Sequence, residues 1–216
     1  MPFAVVTVAA MAIGVSEMRL AGDGAGRWHQ ALSNSVEKEP EACDALREWS
    51  SANSGRARTF GATGKGWGYE PRRATWREYL SQESLDDAAA GGNLYYVAKV
   101  WTASDHGLLV RTEQRSFSDD WRLFVDYCFR PSGGIAVVSS ELFYWPSETI
   151  ALQTVQYDQK GHETQRREGS YEIKDGRDPK APDGEASVWM RRNLVVYRRA
   201  ADLPFHRMLS LPKSNR

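Results

Sequence analysis

"NLYYVAKVWTASDHGLLVRTEQRSFSDDWRLFVDYCFRPSGGIAVVSSELFYW", residues 93–145, decides the fold. Apolar and polar side chains alternate along it, and the runs are punctuated by Asp105-His106-Gly107, Asp119-Asp120 and Pro131-Ser132-Gly133-Gly134. That is the pattern of strands separated by tight turns. Connections this short join antiparallel neighbours, because a parallel pair needs a crossover of about a dozen residues or more. The pattern continues through "TIALQTVQY" (149–157), the turn "DQKG" and "HETQRREGSYEI" (162–173). After a polar loop, "ASVWMRRNLVVYRR" (186–199) reads as a last strand, which brings the expected meander to about seven.

Within Trp121–Arg130 the alternation assigns two faces. Trp121, Leu123, Val125, Tyr127 and Phe129 point to one side, and Arg122, Phe124, Asp126, Cys128 and Arg130 to the other. The first set is a core face. The second is mixed, so some apolar element must cover Phe124 and Cys128 while the arginines stay wet.

Upstream the period changes to that of a helix. Pro40 suits a first helical position, Glu37, Glu39 and Glu41 favour the positive end of the helix dipole, and Cys43, Leu46 and Trp49 recur at helical spacing. "GRARTFGATGKGWGYEPRR" (55–73) is dense in glycine and reads as loop. Thr75 and Glu78 have the spacing of a capping box, and Trp76, Tyr79, Leu80, Leu85, Ala88 and Ala89 support a second helix ending at Gly91-Gly92. The expected fold class is α+β: two N-terminal helices packed on a meandering antiparallel sheet of about seven strands, curving toward a half-barrel.

A chain of 216 residues, 41% hydrophobic, can bury one core without external staples. Its 28 basic and 28 acidic residues balance, so no global field recruits nucleic acid or an anionic membrane. The asymmetry is local: residues 160–216 hold 13 Lys/Arg against 8 Asp/Glu, the excess of an ordinary solvated surface. Pro2 to Val15 is uncharged and apolar or small, shorter than the roughly 20 residues a membrane span needs but of a length for a secretory signal. The expected organisation is therefore a signal peptide over 1–22, a linker over 23–35, one α+β domain over 36–205 and a flexible tail over 206–216, in an exported protein. Asp23 stands where a lipobox needs cysteine, which argues against a lipid anchor.

Cys43 and Cys128 are the two cysteines of the chain. If the first helix covers Phe124 and Cys128, the sulfurs meet and an oxidising compartment crosslinks them. Such a bridge closes a loop of about 85 residues and contributes at most roughly 4.6 kcal/mol in the chain-entropy model. The other readings are two reduced, buried fillers, a nucleophile with a lowered pKa, or ligands of a metal, which would require more than two.

Other chemistry is sparse. Gly64-Lys65 looks like the end of a phosphate loop, but Thr59 stands where that loop needs glycine and Gly66 where it needs Ser or Thr. Trp67 and Tyr69, in the same glycine-rich stretch, either tuck back on the core or offer flat faces to a ligand, and they are the candidate ligand-binding residues. His29, His106, His162 and His206 share no metal-binding spacing, and there is no HExxH or CxxC, so neither a metal nor a cofactor is expected. Asp126 and Glu141, on neighbouring strands, are the candidate catalytic pair if they share a face. The competing reading has each paired across the sheet with an arginine such as Arg122 or Arg111.

"YDQKGHETQRR", starting at Tyr157, resembles one copy of the Tyr-Asp hairpin of wall-associated YD-repeat proteins. The resemblance covers about a dozen residues and implies a turn, with no function carried over. The functional expectation is an exported, non-enzymatic globular module that binds an apolar or sugar-like ligand or a partner segment. Its partner would be a small molecule or an envelope component, with no nucleic acid, no membrane span in the mature chain and an open oligomeric state. The alternative is a cell-envelope carbohydrate hydrolase using the carboxylate pair.

Overall fold

The computed structural model describes residues 39–209 apart from 64–69, 93, 104–106, 117, 119 and 174–183. The expected signal peptide and linker lie outside the described residues. Helix α1 (Glu39–Ala52) is followed by β1 (Arg58–Thr63), β2 (Thr75–Tyr79) and α2 (Gln82–Ala90). Six strands come next: β3 (Leu94–Ala103), β4 (Gly107–Arg115), β5 (Trp121–Phe129), β6 (Ile135–Tyr144), β7 (Thr149–Tyr157) and β8 (Glu163–Glu172). The described chain closes with α3 (Gly184–Asn193) and the short α4 (His206–Leu209). One open antiparallel sheet of eight strands results, in the order β2-β1-β3-β4-β5-β6-β7-β8. The fold is mostly β, and the meander from β3 to β8 follows the alternation of the sequence.

Three assignments need correction. Residues 58–63, read as loop, form β1, and Thr75–Tyr79, read as the start of a helix, form edge strand β2. Gly61 explains the first error. A Cβ there would lie 2.6 Å from the Tyr79 ring and 2.7 Å from Leu94, so the glycine marks a close approach inside a strand rather than a turn. The second helix is correspondingly short, and Ser81 caps it by accepting a hydrogen bond from the Ser84 amide at 3.2 Å. The third error is residues 186–193. They form α3, which buries Ala186 and Met190, four apart on one face.

The two faces of the sheet are covered differently. Over the first face lie α3 and the segment that runs on to α4. They seal a cluster that includes Phe60, Val110, Leu123, Val125, Tyr127, Phe129, Leu142 and Val155. Phe205 stacks on Phe60 with centroids 4.8 Å apart, and Trp189 of α3 meets Trp121 at 4.1 Å. Arg58 ties this end of the chain down: it forks onto Glu78 and donates to the Met208 and Leu209 carbonyls, each bond 2.7 Å. The expected tail from residue 206 thus opens on a helical turn whose Leu209 is buried.

On the second face α1 packs over β4 and β6. A smaller cluster forms between helix and sheet, with Cys43 and Leu46 of α1 against Trp101, Ala103, Leu109, Cys128 and Val137. Cys43 and Cys128 form a disulfide, with Cα atoms 5.9 Å apart. This is the crosslink that the alternation of β5 anticipates, with the first helix on the Cys128 side. At the Tyr157 turn, Asp158 Oδ1 accepts from the Lys160 and His162 amides at 2.8 Å each, and Gly161 takes φ +80°, where a side chain would be strained.

Candidate functional site

The carboxylates singled out from sequence do share a face. In the β5–β6 register Asp126 is opposite Ser139 and Phe124 opposite Glu141, so Asp126 and Glu141 are diagonal neighbours on the side that α1 partly covers. Asp126 is 4% exposed. Arg111, directly opposite it on β4, forks onto it with Nε 2.7 Å from Oδ1 and Nη2 2.9 Å from Oδ2. The cross-strand arginine pairing weighed from sequence is therefore present for Asp126 and Arg111.

A second guanidinium arrives from the helix. Arg47, one turn beyond Cys43, lies with Nε 3.4 Å from Asp126 Oδ2, an ion-pair distance without hydrogen-bond alignment. Its Nη2 donates to Ser139 Oγ at 2.7 Å and its Nη1 to Asp44 Oδ1 at 2.9 Å. Two arginines thus neutralise one buried carboxylate, and Asp126 is held as a structural anion. Glu141 differs. Burial pushes it up to about 7, repulsion from Asp126 adds to the rise, and attraction to Arg111 offsets part of it. Protonated Glu141 can donate a hydrogen bond near neutral pH. Beside it Phe124 meets Phe143 edge-on at 5.9 Å, and Phe143 stacks on Trp145 at 6.1 Å.

The opposite face holds a cleft that sequence reasoning missed. Trp76, Tyr96, Tyr127, Tyr197 and Phe205 wall it with aromatic surface, and Thr112, Gln114 and Asn193 bring polar groups to it. Five separate parts of the chain contribute these walls: β2, β3, β4 with β5, the end of α3, and the segment after it. Hydrogen bonds hold three of the lining residues in place. Trp76 Nε1 donates to the Pro71 carbonyl at 2.8 Å, Tyr127 Oη donates to the Val195 carbonyl at 2.6 Å, and Asn193 Nδ2 donates to the Trp189 carbonyl at 2.8 Å. Burial raises Tyr197 to about 12 and pushes Tyr127 well above the usual phenol range, so both hydroxyls stay protonated. The cavity is small, about 20 Å³, which admits one water-sized group.

The chain matches no protein-family model, no curated protein and no solved structure. Trp67 and Tyr69 lie outside the described residues. His162, which follows the turn at 158–161, is exposed, with Nδ1 3.3 Å from Asp158 Oδ2. Among the described residues no three His, Cys, Asp or Glu side chains are grouped so as to hold a metal ion, and no helix is long and apolar enough to cross a membrane.

Proposed function

We propose that this chain is an exported, non-enzymatic binding module whose aromatic cleft receives one edge of a sugar-like ligand. The observation that carries the reading is the convergence of five aromatic walls with the Thr112, Gln114 and Asn193 side chains in one concave place. Aromatic faces suit the C–H faces of a sugar ring, and the hydroxyl and amides suit its oxygens. A void of about 20 Å³ matches a hydroxymethyl or methyl group, so the ring itself would rest at the mouth. The buried disulfide supports export, because such bonds persist in oxidising compartments.

Calorimetric titration of the full chain with methyl glycosides tests this, alongside mass spectrometry of whatever copurifies with it. Gln114→Ala should weaken binding roughly tenfold, the loss of one hydrogen bond in a desolvated site. Glu141→Gln should leave binding unchanged. Unaltered affinity in Gln114→Ala, or no glycoside bound at all, would contradict the proposal.

A second reading rests on the carboxylates. We infer from the shared face of Asp126 and Glu141, and from the raised Glu141, that carbohydrate hydrolysis with Glu141 as general acid is the chemistry to test next. The two arginines on Asp126 count against it, because Arg111 hydrogen-bonds both of its oxygens and the added charge of Arg47 lowers the basicity that a nucleophile or base needs. Turnover of aryl glycosides that disappears in Glu141→Gln would favour this reading over the first.

A further inference from the structure

We propose that α1 is a redox-releasable cover, separable from the rest of the fold and held by two latches one helical turn apart. The first latch is the Cys43–Cys128 disulfide to β5. The second is Arg47, which reaches Asp126 on β5 and Ser139 on β6. The residues under α1 form their own apolar cluster, distinct from the large cluster sealed on the other face by α3 and the chain end. No strand pairing of the sheet involves α1. Release of the helix therefore leaves the ladders and the main core in place and uncovers Trp101, Leu109 and Val137.

The chemistry is thiol–disulfide exchange with a dithiol reductant. One thiolate of the dithiol attacks a sulfur of the bridge, breaking the S–S bond and expelling the other cysteine as thiolate. The second thiol of the reductant then displaces the first cysteine. The dithiol leaves as its disulfide after giving up two electrons, and the two protons it loses go to Cys43 and Cys128. Cys43 is 3% exposed and Cys128 2%, so neither sulfur can be attacked until α1 loosens around the intact bridge. The rate of reduction then reports how often the cover opens, and Arg47 governs that opening.

The test uses the oxidised full chain, exposed to dithiothreitol without denaturant, with thiols counted by alkylation and mass. Reduction of the wild type should be slow. It should be accompanied by binding of a hydrophobic dye and by a retained far-ultraviolet β signal. Arg47→Met should speed reduction by roughly ten- to a hundredfold, the change expected from losing a hydrogen bond to a charged group. A Cys43→Ser, Cys128→Ser double variant should bind the dye from the outset and keep the β signal. An Arg47→Met rate equal to wild type would overturn the latch. Loss of the β signal on reduction or in the double variant would overturn the separability of the cover.

Discussion

The two faces of the sheet are built on opposite principles. One is sealed by a long C-terminal segment that interlocks aromatic rings, from Trp121 against Trp189 to Phe60 against Phe205. The other is covered by a single helix, over a small apolar cluster and a buried carboxylate held by two arginines. The first arrangement gains stability from area and shape, and its parts are mutually dependent. The second depends on a covalent bond and on charges that suit one geometry, so its attachment is expected to depend on redox state.

The largest effect expected from breaking this contrast is on the sealed face. Phe129 is 1% exposed in the main cluster. Phe129→Ala should cost about 3–5 kcal/mol in denaturant unfolding, the usual range for emptying a packed phenylalanine site. A loss under about 1 kcal/mol would mean that this face is not where the fold is held together.

Next comes the pH response of the other face. Folding raises Glu141 from 4.5 to about 7, so between those values the folded chain keeps a proton that the unfolded chain has released. Stability therefore falls as pH rises through that window, by about 3 kcal/mol if the whole shift is realised. Glu141→Gln should flatten the profile between pH 5 and 8, read by urea midpoints across that range. A wild-type profile that rises with pH there would remove Glu141 from the account.

A smaller effect is expected where the chain end is fastened. The Arg58 fork joins Glu78 on β2 to the last described turn, with side chains 38% and 29% exposed. Arg58→Met should cost about 1 kcal/mol, since partial exposure screens the pair. Melting temperatures of the two proteins would show it.

Alternation made the central meander legible, and it also placed Cys128 off the main core face. From that one inference followed the position of the first helix and the partner of Cys43. Elsewhere local signals were outweighed by tertiary contacts. Gly61 looked like loop punctuation, but the Tyr79 ring and Leu94 need its missing Cβ. Thr75 and Glu78 had cap spacing, yet Trp76 and Tyr79 point to opposite faces of a strand, one toward Phe205 and the other toward Gly61. In 186–199 the run Leu194-Val195-Val196 suggested a strand, while Ala186 and Met190 already carried a helical period. The carboxylate pair was legible because both members sit on adjacent strands with a clear register. The aromatic cleft was not, because its walls come from distant stretches of chain and no local pattern joins them.

Amide hydrogen exchange on the full chain, oxidised and reduced, tests the inequality of the faces most directly by comparing α1 with α3. Reduction should strip protection from Glu39–Ala52 while Gly184–Asn193 and strands β4 to β7 keep theirs. Equal loss in both helices, or none in α1, would contradict that inequality.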